Sequence, residues 1–224
     1  MSIGVEVFPS ENWAGAAATY VAGALPRDGV VIVTGGATAE RLYPALAARP
    51  PSWSSIDVFF SDERCVPPDH PDSNYNMVRA TLLEVVRPRT VHRMRGEDEP
   101  PDAAAAYDHE MHDDASELVA DVLLLGMGDD GHVAGLFPNS PVLQESDVWC
   151  VAIDRPDRMR GLTLTRPALW SARRVLVIVT GAAKAGAIER ALKGDESPTT
   201  CPVRMFADHS DATFLIDDEA ATRL

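Results

Sequence analysis

The chain has 224 residues, 46% of them hydrophobic, which supplies a packed core and excludes disordered, collagen-like and mini-protein classes. Its 20 basic residues stand against 34 acidic ones, a net charge of −14 with a pI near 4.7. A surface this acidic repels phosphodiester backbones and anionic lipid, so neither nucleic acid nor a membrane is expected as a partner.

Short apolar runs recur along the chain at 3–8, 30–34, 56–61, 121–125, 148–153, 175–180 and 213–216. They are rich in β-branched residues and mostly apolar throughout rather than alternating, as strands buried on both faces are. Helical patterns lie between several of them. Ser10 is placed to cap a helix over 11–24, Thr38 one over 39–48, and Ser73 one over 74–86; the alanines at 103–106 are ordinary helix material. Proline-rich stretches at 50–52, 66–71 and 98–102 read as surface loops, too short for domain linkers. Strands alternating with helices predict one α/β domain over 1–224 with a mostly parallel sheet covered on both faces. The longest apolar runs fall far short of a membrane span, and the first ten residues (MSIGVEVFPS) lack the basic and apolar regions of a signal peptide. Cys65, Cys150 and Cys201 are odd in number and widely spaced, which suits free thiols in a reducing compartment. A cytoplasmic protein is expected.

In parallel sheets, ligands bind beyond the carboxyl ends of the strands, and four strand exits have unusual composition. Thr34-Gly35-Gly36-Ala37-Thr38 leads into a helix, so it reads either as a tight turn or as an anion site built on free helix amides. Ser61-Asp62-Glu63-Arg64 is either a solvated turn or a carboxylate beside an arginine that can fork onto an anion, with 69–76 closing over the same edge. The stretch 125–132 (LGMGDDGH) formally contains G-x-G-x-x-G. A dinucleotide site is rejected, because Asp129 and Asp130 would face a pyrophosphate and Pro138 interrupts the expected helix. What remains is a turn presenting Asp130 and His132 together as an oriented general base, or a turn histidine in solvent. Gly181-Ala182-Ala183-Lys184 places one of only two lysines where it reaches an anion or stands solvated.

Other features carry no chemistry. His109 and His112 are spaced i, i+3 on an acidic helix, which is not the i, i+4 spacing of a zinc helix, and no metal is expected. There is no G-x-S-x-G, and Cys65 has no identifiable histidine partner, so a serine or thiol nucleophile has no support.

Taken together and in order, Gly35-Gly36, Ser61–Arg64 with Asn74, Gly126–His132 continuing to Leu136-Phe137-Pro138, Thr163-Leu164-Thr165, Gly181–Lys184 and the closing 217–221 (DDEAA) resemble the 6-phosphogluconolactonase family from about residue 10 onward. The resemblance implies a three-layer α/β/α Rossmann-like fold shared with glucosamine-6-phosphate deaminases. It also implies a cytosolic, cofactor-independent hydrolase of the pentose phosphate pathway, acting on a small phosphorylated sugar lactone as a monomer or small homo-oligomer. In that reading His132 activates water with Asp130 beside it, and Gly35, Gly36, Thr38, Asp62, Arg64 and Lys184 line the substrate and phosphate pocket. The chain departs from the family at Ala37, at Val133-Ala134-Gly135, and at Gly161, where an arginine is usual; Arg160, one step away, is the candidate replacement. The deaminases carry a glutamate five residues past the histidine where this chain has Phe137, and Asp-Glu-Tyr where it has Asp62-Glu63-Arg64. Both differences favour the lactonase over deamination. A non-catalytic sugar-phosphate sensor is the third reading, and a retained Asp130–His132 pair counts against it.

Overall fold

The computed structural model describes residues 3–113 and 116–224. Strand β1 (Gly4–Phe8) leads to helix α1 (Trp13–Ala24), β2 (Gly29–Val33) to α2 (Ala37–Ala47), and β3 (Ile56–Phe60) to a short strand β4 (Asp62–Arg64). Next come α3 (Asn74–Val78), a π-helical turn (Arg79–Leu83) and α4 (Glu84–Val86), then β5 (Thr90–Val91) and α5 (Pro100–Met111). The small pair β6 (His112–Asp113) and β7 (Ser116–Glu117) precedes β8 (Val122–Gly126). A hairpin of β9 (Cys150–Asp154) and β10 (Arg160–Leu164) is followed by α6 (Arg166–Trp170), β11 (Arg174–Val179), α7 (Ala185–Lys193) and β12 (Ala212–Asp217).

Seven strands form the central sheet in the order β1-β12-β11-β8-β2-β3-β5, and every neighbouring pair is parallel. Successive side chains leave opposite faces, so an unbroken apolar run feeds two cores at once. Leu123, Leu125, Val175, Val177, Phe214 and Ile216 pack on one side with Tyr107, Met111, Leu162 and Ile188. Leu124, Leu176, Ile178 and Leu215 pack on the other with Trp13, Leu42, Tyr43, Leu46 and Leu82. Truncating one such leucine to alanine costs about 2–5 kcal/mol. The result is the three-layer α/β/α arrangement expected from the strand–helix alternation.

Several local expectations are corrected. The apolar run at 148–153 does not join the parallel sheet; its strand, β9, lies in a separate antiparallel sheet ordered β4-β10-β9. β1 is an edge strand whose Val5 and Val7 are exposed, so it is not buried on both faces. Ser10 does not cap α1: Asn12 occupies that position, while the Ser10 amide and hydroxyl both bond the Asp218 carboxylate. α2 starts at Ala37, so Thr38 lies inside it and Gly36 takes the cap with φ +92°. Ser73 does cap α3, accepting from the Asn76 amide, but the stretch to 86 is interrupted by the π turn. Pro100 and Pro101 open α5 rather than sitting in a loop, since a missing N–H is harmless in a helix's first turn. Cys150 and Cys201 are buried, Cys65 is half-buried, and all three are unpaired.

Candidate active site

The exits of β2, β3, β8 and β11 converge. After β2, the Tyr43 hydroxyl, buried in α2, donates to the Thr34 carbonyl at 2.7 Å and accepts from the Thr34 amide at 3.2 Å. Burial pushes the phenol pKa up, against the smaller lowering by its bond to the Thr34 backbone. This fixes the strand end just before Gly35. A Cβ on Gly35 would fall 1.8 Å from Asn74 Oδ1, so the first glycine makes room for a protein side chain rather than a ligand. Gly36 faces open space and leads into the unsatisfied amides of the first turn of α2. Thr38 Oγ1 lies 3.2 Å from Thr180 Oγ1, tying this exit to the one after β11.

The charged segment after β3 is neither a solvated turn nor a loop. It is β4, paired antiparallel to β10, with Asp62 opposite Thr163, Glu63 opposite Leu162 and Arg64 opposite Gly161. Glu63 is 2% exposed and accepts four hydrogen bonds: from the amides of Arg64 (2.8 Å), Asn74 (2.6 Å) and Tyr75 (2.8 Å) and from the Ser73 hydroxyl (3.0 Å). Burial pushes its carboxyl pKa up, and the four donors only partly offset that. The bonded cradle fixes 73–75 and thereby Asn74. The Asn74 amide nitrogen donates to the Asp62 carbonyl (2.9 Å) and to Asp62 Oδ2 (3.1 Å), while its oxygen accepts from Arg64 Nη1. Arg64 is thereby aimed by residues ten positions away.

After β8, the Gly131 amide donates to the Gly128 carbonyl (3.2 Å) and the Gly128 amide to the His132 carbonyl (2.9 Å), which folds 128–132 into a tight turn. Gly131 carries φ +90°. Asp130 Oδ1 accepts from the His132 amide at 3.0 Å and lies 2.6 Å from His132 Nδ1. Partial burial raises the Asp130 pKa, but the His132 amide and imidazole outweigh it and hold the carboxyl below its ordinary range. Arg190 of α7 donates from Nη2 to the Asp130 carbonyl at 2.7 Å, bracing the turn from behind. The Phe137 ring lies 4.6 Å from the His132 ring. After β11, Gly181 (φ +93°) donates its amide to both oxygens of Asp217, at 2.9 and 3.0 Å. That anchor leads into the short turn Ala182–Lys184, whose lysine stands at the N-cap position of α7 with its side chain making no cap bond.

Gly35, Gly36, Thr38, Asp62, Arg64, His132 and Lys184 all line one pocket at this strand end, with Asp130 bonded to the His132 ring. Arg160 does not line it: its side chain is exposed on the hairpin. Asn74 and Arg155 are among the lining residues that were not singled out as site residues from sequence. Asn74 had a signal, since it sits in the polar stretch that follows the charged segment. Arg155 had none, because its place depends on how the β9–β10 hairpin turns. Among the described residues no three His, Cys, Asp or Glu side chains gather as a metal site, and no helix is long and apolar enough to cross a membrane.

A parallel three-layer α/β protein with a cation-bearing pocket and a carboxylate–imidazole pair at its strand ends is of the kind that handles small anionic metabolites. The family described as glucosamine-6-phosphate isomerases/6-phosphogluconolactonase matches residues 13–215, and the chain belongs to it. A 6-phosphogluconolactonase of Synechocystis is 35% identical over 205 residues, covering 88% of this chain and 85% of that protein. The 6-phosphogluconolactonase structure from Trypanosoma brucei superposes with a TM-score of 0.86 at 25% identity, over 100% of this chain and 99% of that one. A monomeric glucosamine-6-phosphate deaminase shares the fold at a TM-score of 0.85 and 21% identity, covering 99% and 100% of the two chains. The fold therefore accommodates both activities, and the choice between them falls to the side chains.

Proposed function

We propose that the chain hydrolyses 6-phospho-D-glucono-1,5-lactone to 6-phosphogluconate in the pentose phosphate pathway. The observation that carries this reading is the Asp130–His132 pair, with Nδ1 committed to the carboxylate at 2.6 Å, on the wall of a pocket lined by Arg64 and Lys184. With Nδ1 so engaged, Nε2 is the nitrogen left to accept a proton from water. The water attacks the lactone carbonyl, and the tetrahedral oxyanion is met by backbone amides. Collapse breaks the ring C–O bond, and the imidazolium returns its proton to the departing oxygen. The product acid then ionises. The amides after Gly36, together with Thr38, Arg64 and Lys184, hold the phosphate. Asp62, buried behind Asn74, serves this clamp by fixing the amide that aims Arg64.

Phe137 supports hydrolysis over deamination. Its ring packs on the His132 imidazole, so no carboxylate is available at that position to serve ring-opening and isomerisation of an amino sugar. In this reading the enzyme works in the cytoplasm on a small soluble substrate, as a monomer or small homo-oligomer, with neither metal nor organic cofactor. The test is acid release from fresh 6-phosphogluconolactone above its spontaneous rate, run beside the unphosphorylated lactone and glucosamine 6-phosphate. Rapid acid release from the first with no ammonia from the third is expected. Ammonia at a comparable rate would overturn the reading in favour of the deaminase.

A further inference from the structure

Arg155 is held in the pocket by four separate features. It opens the turn between β9 and β10, where its amide donates to the Met159 carbonyl (2.9 Å) and its carbonyl accepts from the Arg158 amide (3.0 Å). Its stem doubles back across Gly161: a Cβ built there would lie 3.1 Å from Arg155 Cδ and 3.5 Å from Cγ. Glycine at 161 thus leaves the channel through which the arginine reaches the site. The guanidinium carbon then lies 5.3 Å from the centre of the Phe137 ring, whose own centre is 4.6 Å from that of His132. Asp157 Oδ2 accepts from Nε at 3.1 Å, and the side chain is only 11% exposed.

Those restraints use the stem, the Nε–H and one face of the guanidinium. Among the described residues the two terminal nitrogens donate no hydrogen bond, although Arg155 lines the pocket. A cation so immobilised, with donors unspent, is built to meet an anionic or strongly polarised oxygen. Which oxygen follows from position. Thr38, tied to Thr180, belongs with the α2 amides at one part of the wall, whereas Arg155 stacks on the aromatic ring that also touches His132.

We infer that Arg155 binds the lactone end of the substrate, donating to the carbonyl oxygen as it gains charge and then to the carboxylate of the product. This rests on the lactonase reading and adds a residue to it. Gly161 and Phe137 act as its guides, the first by absence of a side chain and the second by its flat face.

The test separates the two ends by binding as well as by rate. Calorimetry compares 6-phosphogluconate with glucitol 6-phosphate, which keeps the phosphate and lacks the carboxylate. Arg155→Met keeps most of the stem and removes the charge. It is expected to weaken 6-phosphogluconate about tenfold or more and to leave glucitol 6-phosphate within about twofold. In kinetics it lowers kcat/KM for the phosphorylated and unphosphorylated lactones by similar factors. Equal weakening of both ligands would place Arg155 on the phosphate, and unchanged affinity for both would reduce it to a packing residue; either result overturns the inference. Arg155→Gln supplies a second uncharged variant for the same comparison should the methionine form fail to fold. A parent enzyme that hydrolyses no lactone overturns the functional reading instead, and the paired binding measurement still reports where Arg155 acts.

Discussion

A methyl group added at Gly128 would lie 2.1 Å from Nδ1 of His132, inside the space the imidazole occupies, and 2.6 Å from Oδ1 of Asp130. The pair depends on a missing side chain four residues earlier. Gly128 does not carry a positive φ, so alanine is tolerated by the backbone and the cost falls on the ring. Gly128→Ala should therefore fold, with a melting temperature within a few degrees of the parent, while kcat drops by about 10²-fold or more as the base is displaced. Unimpaired turnover in this variant would count against the orientation of the pair.

His132→Ala should lower kcat by roughly 10²–10⁴ and leave KM within a few fold, the pattern of a lost general base. The pH profile adds a sign. The Asp130 carboxyl is held below its ordinary range, so it keeps its charge as the solution becomes mildly acidic. A fall in activity on mild acidification is therefore not the loss of the Asp130 charge. That limb should be missing from the residual rate of His132→Ala; its persistence would assign it to another group.

Lys184 tests the clamp. In a protein of net charge −14, a dianion is repelled at long range and needs local cations to bind. Lys184→Ala should raise KM for the phosphorylated lactone about tenfold or more, as expected for one charge-assisted contact of roughly 1.5–3 kcal/mol. Hydrolysis of the unphosphorylated lactone should scarcely change. Equal losses on both substrates would move Lys184 from the phosphate to the carbonyl or the fold.

Glu63 is expected to govern stability. Glu63→Gln replaces one acceptor oxygen with a donor, in a cradle where each oxygen receives two hydrogen bonds, and should destabilise by about 2–4 kcal/mol in denaturant unfolding. The folded-state pKa of Glu63 is raised, so the native state binds the extra proton and this group's contribution is fullest below the ordinary glutamate value. Stability should decline as pH rises from there through the raised value. The glutamine variant should lack that slope, and an unaltered slope would assign it elsewhere.

The parallel layers were legible because 122–125 and 175–179 are apolar at every position, which only a strand covered on both faces tolerates. The run at 148–153 looks alike but joins the other sheet, since apolar content reports burial and not partners. The charged trio at 62–64 misled for a different reason. Charge alone suggests solvent, whereas Glu63 is buried by donors that come from 73–75, a tertiary arrangement without local trace. Asp130 and His132 were legible because their contact spans two residues of one turn. Arg155 was hidden because its route over Gly161 exists only once β9 and β10 pair.

Strand β12 lies between β1 and β11, so the first strand of the chain finds its neighbour only in residues 212–217. During synthesis the ribosome must deliver more than two hundred residues before β1 can be hydrogen-bonded, and until then its amides and exposed valines face water or a chaperone. The same late strand ends in Asp217, the acceptor that pins Gly181 at the start of the lysine-bearing turn. Closure of the sheet and completion of the pocket are thus one terminal event in biogenesis, and a nascent chain cannot hold substrate in a finished site before its last strand has been translated.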